Sequence, residues 1–289
     1  MLGQKEIASL MSKTKHTMKY AICNETFQGW GWAETCQQVA ELGYEGIEVA
    51  PFTFAEDART LSSHARNVYA KTAQRAGLEV TGLHWLLVSP KGLSITSPDE
   101  SMRQETAAYL AELVELCADL GGKVMVLGSP AQRRIQPNET AKEAIDRLQA
   151  CLEPALVRAE KHGIRLCLEP LPPPEANFIL TLRESVDLVE RFNNPQLCTI
   201  FDVKSASSEG KPLDALIHEF APYIGHVHAN DANRRGPGFG DTDFIPIMRA
   251  LKETAYDGYV SIEVFDYSPD PVTIARDGLA HLKKCETLS

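Results

Sequence analysis

Eight short apolar runs alternate along the chain with longer stretches whose apolar residues recur at helical spacing. The runs begin near residues 20, 44, 79, 123, 164, 197, 225 and 259 and read YAICNE, YEGIEVAP, EVTGLHW, KVMVLGSP, IRLCLEPL, LCTIFDVK, GHVHAND and YVSIEVFD. Each has about the length of a strand. In the clearest intervening stretch, Ile145, Leu148, Leu152 and Leu156 share one face of residues 139–162, as an amphipathic helix requires. Pro154 lies inside that stretch and predicts a kink or break, and His162-Gly163 predicts its stop. Successive run starts are 24, 35, 44, 41, 33, 28 and 34 residues apart, each enough for a helical crossover. Strands alternating with helices predict a parallel sheet with right-handed connections. Eight such units in one chain of this length predict an α/β fold, a single (β/α)8 barrel. An open doubly wound sheet has the same alternation, but no GxGxxG or Walker pattern follows any run.

Length and composition fit that reading. A chain of 289 residues, 44% hydrophobic and 24% charged, can build one large core, and no Pro-, Gly- or Ser-rich linker divides it. Residues 1–17 read as a tail without the apolar stretch of a signal peptide, so residues 18–289 are the predicted domain. No run reaches the length of a membrane span. The formal charge of −10 repels phosphate backbones and anionic lipid. A small, mostly neutral substrate is therefore expected, with no nucleic-acid or membrane partner. Seven cysteines, an odd number with no CxxC pair, favour a reducing, cytoplasmic setting over a disulfide framework.

Chemistry in such barrels gathers at the C-terminal ends of the strands. Asn24 and Glu25 end the first run, His84 the third and Ser129 the fourth, and Glu169, Asp202, His228 and Glu263 end the last four. Residues two apart in a strand share a face, so Glu169 points with Cys167, Asp202 with Ile200, His228 with His226 and Glu263 with Ser261. If those faces line the interior, three carboxylates and an imidazole converge at the mouth, where they repel one another unless a cation lies between them. One divalent ion is the expected cofactor. Oxygen-rich ligation with one nitrogen favours Mn²⁺, Mg²⁺ or Co²⁺ over a thiolate-seeking metal, with Mn²⁺ preferred and Zn²⁺ still open. A lone acidic residue at a strand end is more often a helix cap or salt-bridge partner. Four consecutive strands ending this way are harder to explain so.

The segments LEPLPPPEANF (168–178), FDVKS (201–205), GHVHANDANRRGPGFG (225–240) and SIEVFDY (261–267) make the chain resemble the xylose-isomerase-like TIM-barrel superfamily. The resemblance runs from Met18 to the C-terminus and is nearest to the ketose 3-epimerase, hydroxypyruvate isomerase and inosose dehydratase branches. Ketose 3-epimerases space their Glu, Asp, His and Glu ligands by 33, 26 and 35 residues, as Glu169, Asp202, His228 and Glu263 are spaced here. The resemblance implies that Glu169 and Glu263 are both ligands and acid/base catalysts on opposite faces of a sugar. It also implies that Glu175 and Arg234 contact substrate. A substrate-contacting His of those enzymes is replaced here by Ser205, beside Lys204. Lys204 then reads either as a lysine reaching out to solvent or as a substrate contact with a lowered pKa.

Other candidates are weaker. His84 reads as a substrate contact or a buried, hydrogen-bonded histidine, and His226 as a core group behind the ligands. Trp85, Trp30 and Trp32 are candidate walls for a sugar ring, with Trp32 equally a helix-core residue. Ser129, Gln132 and Arg133 lie in a loop that reads mainly as solvated, and Arg234-Arg235 with GPGFG could cradle a phosphate. The expected reaction is isomerisation or epimerisation of a sugar or keto-sugar by proton abstraction beside a carbonyl, through an enediolate. Keto-polyol dehydration shares that first step. An AP endonuclease would need further metal ligands and a basic face, a retaining glycosidase leaves Asp202 and His228 idle, and a sugar-binding barrel would exchange no C–H protons. Barrels of the superfamily often pair, so a homo-oligomer is possible, though no stretch of sequence marks an interface.

Overall fold

A computed structural model describes residues 18–289, so the expected tail at 1–17 lies outside the described residues. Eight parallel strands close into a barrel in sequential order: β1 Lys19–Cys23, β2 Gly46–Val49, β3 Glu79–Leu83, β4 Val124–Leu127, β5 Arg165–Leu168, β6 Leu197–Asp202, β7 Ile224–Ala229 and β8 Tyr259–Ile262. Crossover helices follow each: α1 Trp32–Glu41, α2 Ser63–Arg75, α3 Glu100–Leu120, α4 Ala141–His162, α5 Leu182–Phe192, α6 Leu213–Phe220, α7 Phe244–Glu253 and α8 Pro271–Leu288. β1 pairs with β8 to complete the ring, which rules out the open sheet.

Local chemistry sets the helix limits. α4 begins at a capping box in which the Thr140 hydroxyl accepts from the Glu143 N–H and Glu143 reaches back to Thr140. It ends at Gly163, whose φ of 61° suits a left-handed C-cap. α4 runs unbroken through Pro154. Proline removes one backbone donor, but Leu152, Ala155 and Leu156 around it are buried, so packing holds both flanks in the same helix.

Alternation along the strands sorts two cores. Leu166, Leu168, Phe201, Val227, Val260 and Ile262 join the large cluster between strands and helices. Val124, Val126, Cys167, Cys198 and Ile200 form a small separate cluster on the opposite, inward face. Glu169 shares parity with Cys167, and Asp202 with Ile200, so both side chains continue the inward rows beyond that plug. Among the described residues, no helix is long and apolar enough to cross a membrane.

Candidate metal centre

Ligand-capable atoms of Glu169, Asp202, His228 and Glu263 all lie within 4.8 Å of one another. The four residues are at most 7% exposed. At such separations two ionised carboxylates repel by roughly 3–4 kcal/mol at an effective dielectric near 20, so the set must hold either extra protons or a cation. Burial, with Glu263 and Asp202 nearby, pushes the Glu169 carboxyl up to about 8. Gly128 makes room for it, because a Cβ there would collide with Glu169 Oε2.

Three of the four, Asp202, Glu263 and His228, are held from behind. Asp202 Oδ2 accepts from Asn230 Nδ2 at 2.6 Å, and its Oδ1 accepts from the Ser205 N–H at 2.7 Å. That second bond starts a single helical turn, Val203–Ala206. Glu263 Oε1 accepts from Trp85 Nε1 at 2.9 Å and lies 3.3 Å from His84 Nδ1. His228 Nε2 donates to Glu48 Oε1 at 3.1 Å, and Glu48 Oε2 bonds His226 Nε2 at 2.8 Å. Burial alone would raise the Glu48 carboxyl, but His226 and His228 hold it well below the usual carboxylate range.

The front of His228 tests whether the set fits a metal. His228 Nδ1 and Glu263 Oε2 are 3.1 Å apart. Neither makes a hydrogen bond with any partner, although both are buried. Their separation is short, yet the two atoms are not aligned for a hydrogen bond. Burial alone would lower the His228 proton affinity, but Glu263 and Glu48 raise it well above the usual imidazole range. With Nε2–H engaged by Glu48, the Nδ1 therefore faces Glu263 carrying a proton that a cation bound in front would displace. A carboxylate–histidine pair oriented from behind and empty in front is how proteins present an imidazole to a cation. The four residues therefore fit a divalent ion. Two further clusters, Glu25–His84–Glu263 and Cys23–Glu48–His84–His228, overlap this set, and the hydrogen bonds just described run through both.

Most of the expected substrate residues ring the mouth. Trp85, Ser129, Gln132, Glu175, Arg234 and Phe265 line one cavity of about 360 Å³ with His84, Glu169 and Glu263. Trp85, Ser129 and Arg234 have φ of 53°, 42° and 74°, a left-handed strain that clusters where side chains must be aimed at a site. Arg234 is exposed, its guanidinium over the Phe265 ring at 5.5 Å. Its neighbour Arg235 turns away to the Ser268 carbonyl.

Two residues depart from expectation, Lys204 and Arg133, and His84 takes the buried, hydrogen-bonded form, one of its two readings. Lys204 does not reach out to solvent: it is 8% exposed, and its Nζ bonds both Glu175 oxygens at 3.0 Å. Its proton affinity is not lowered either. Burial alone would lower it, but the Asp202, Glu175 and Glu169 charges outweigh that and raise it. Arg133 is not a solvated loop charge: it is fully buried and donates to the Leu127 and Ile179 carbonyls. His84 is buried and bonds Glu25 Oε2 at 2.9 Å through Nε2. Glu48 and Asn230 escaped the sequence reading; Glu48 sits in the inward parity of β2, opposite the outward Ile47 and Val49.

Comparison with known proteins accords with the barrel fold. The chain is 24% identical over 267 residues to a probable ketose 3-epimerase of Synechocystis sp., covering 86% of this chain and 88% of that one. It is 26% identical over 278 residues to 3-dehydro-D-guloside 4-epimerase of Escherichia coli, covering 93% and 100%. A D-psicose 3-epimerase crystallised in the presence of D-fructose superposes with a TM-score of 0.82 at 22% identity, over 93% of this chain and 99% of that one. The xylose isomerase-like TIM barrel pattern matches residues 36–285, and the chain belongs to that family.

Proposed function

We propose that this protein is a divalent-metal-dependent epimerase or isomerase of a keto-sugar, with Glu169, Asp202, His228 and Glu263 as metal ligands. The observation that carries the reading is the facing pair of buried atoms without a hydrogen bond, His228 Nδ1 and Glu263 Oε2, inside a quartet with two further carboxylates. When bound there, a divalent cation supplies Lewis-acid polarisation of a carbonyl and its neighbouring hydroxyl; manganese is the ion preferred.

Proton transfer falls to the two glutamates. One of them, ionised, takes a proton from carbon and the other, protonated, returns one. Glu263 is fixed by Trp85 and His84, so its carboxyl meets the substrate at a defined position. Glu175, Arg234, His84 and Lys204 are the substrate-side groups of this reading. Glu175 and Lys204 act as a unit, since the ammonium bonds both carboxylate oxygens. Gly128, Trp85 and Phe265 line the same cavity as Glu175. The relatives named as epimerases support epimerisation over aldose–ketose isomerisation or dehydration, which begin with the same proton abstraction.

The test is NMR of products from Mn²⁺-loaded protein incubated in D₂O with a panel of ketoses, keto-glycosides and sugar phosphates, the metal being removed before recording. Deuterium should enter a carbon beside a carbonyl, with inverted configuration in the product. Metal binding without exchange into any of them would sink the enzyme reading in favour of a binding barrel.

A further inference from the structure

A second cavity, of about 520 Å³, lies beside the metal pocket and has no part in the chemistry above. It sits between the segments that follow β1 and β2. Part of its aromatic lining is ordinary packing: Trp32 donates Nε1–H to the Tyr69 carbonyl, and the Phe54 and Tyr69 rings stack at 3.9 Å. Trp30 and Phe52 differ. Both line the cavity and both remain partly exposed.

Glu25 forms the buried end of this bay. It is 3% exposed, and its Oε2 is held by His84. Its Oε1 is buried without any hydrogen-bond partner. Leaving a buried acceptor unpaired costs roughly 1–3 kcal/mol, so a donor arriving through the bay would be well received. Glu25–His84 and Phe52–Trp85, the latter rings 5.9 Å apart, together form a wall shared with the metal pocket. The first pair is its buried part and the second its exposed part.

We propose that the bay is a subsite for the second ring of a keto-glycoside whose keto-sugar ring occupies the metal pocket. Trp30 and Phe52 pack against the C–H face of that second ring, and one of its hydroxyls donates to Glu25 Oε1. Aromatic faces beside an acceptor-only carboxylate match what a neutral sugar ring presents, apolar C–H patches edged by O–H donors. The chemistry also excludes an anionic tail. Among the described residues, no Lys, Arg or His lines the bay, so a phosphate or carboxylate there would meet Glu25 uncompensated.

What the first ring undergoes rests on the proposed enolisation; occupancy of the bay does not, and the experiment separates the two. Mn²⁺-loaded protein is given a keto-disaccharide and the matching free keto-monosaccharide in D₂O, and kcat/KM for exchange is compared. The disaccharide should be preferred at least ~10-fold, a difference of about 1.4 kcal/mol, arising mainly in KM. Trp30→Ala should erase most of that preference and Trp30→Phe should restore much of it. Equal kcat/KM for the two sugars, or a preference unchanged in Trp30→Ala, overturns the subsite. If neither sugar exchanges, the enolisation reading has failed and the bay is judged alone, by tryptophan fluorescence during titration with cellobiose. A saturable change lost in Trp30→Ala supports the bay; a flat titration of the wild type overturns it.

Discussion

Strands β5 to β8 bring all four ligand-capable side chains to the mouth, whereas β1 to β3 and their following turns bring none of that quartet. The first strands supply its supports instead. Glu48 on β2 reaches across the barrel to His226 and His228. His84 and Trp85 after β3 fix Glu263, and Glu25 after β1 fixes His84. The inward surface differs in kind as well. Around β4 to β6 it is the apolar plug of Val124, Val126, Cys167, Cys198 and Ile200, while toward β2 and β7 it is a buried carboxylate between two imidazoles. A ligand set on one half of a barrel is thus only as ordered as the polar groups that face it from the other half.

The sharpest break in that comparison comes from the ligand half. Glu169→Gln and Glu263→Gln should each lower the rate of deuterium exchange by about 10²–10⁴-fold, the range lost with a general acid or base. Near-normal exchange in either variant removes that residue from proton transfer. On the supporting half, Glu48→Gln should weaken metal affinity by about 10–100-fold, as loss of a partner behind a ligating histidine does. Calorimetric titration of the apoprotein with Mn²⁺ reads this directly. Unchanged affinity would mean that the β2 half plays no part in presenting His228.

Lys204 belongs to the ligand half by position but to the supports by its bonds. Lys204→Met should lower turnover about tenfold, or roughly 1.4 kcal/mol, with metal content retained after dialysis. Loss of the metal as well would show that Lys204 chiefly holds the local structure of the site, since removing a neighbouring positive charge should by itself favour the cation.

The ligand half was legible in the sequence because its signal is local. An acidic or histidine side chain directly at the end of an apolar run, in inward parity, needs no knowledge of partners, and Glu169, Asp202, His228 and Glu263 all meet that test. Strand starts fell within two residues of the observed ones, 44 against Gly46 being the widest miss. The supports were harder to read because their roles depend on pairing across the barrel. Glu48 lies 180 residues from His228, and nothing local says that a carboxylate inside YEGIEVAP faces an imidazole. The alternation that selects Glu169 does select Glu48, so the signal existed; it lay within the run rather than at its end. Lys204 and Arg133 failed for a related reason. A charge beside a loop reads as solvated until its buried partners are known, here Glu175 for one and two backbone carbonyls for the other.

The smallest expected effect concerns the proton that stands in for the cation. Glu169 is raised from 4.5 to about 8, so without metal the folded protein binds this proton more tightly than the unfolded chain does. The stabilisation from that proton is full below about pH 4.5 and is lost as pH rises through about 8. Metal replaces the proton and removes the repulsion, so its own stabilising effect should grow across the same interval. Thermal unfolding of apo and Mn²⁺-loaded protein, followed from pH 5 to pH 8.5 at fixed free metal, should show a melting-temperature gap that widens by roughly a few degrees. Glu169→Gln, which cannot ionise, should flatten the apo side of that dependence. A gap independent of pH in the wild type would mean that Glu169 holds no extra proton in the absence of metal. The crowded carboxylates of the ligand half would then be balanced wholly by the fixed charges around them, with Lys204 and the protonated imidazoles doing for the apoprotein what the cation does when bound.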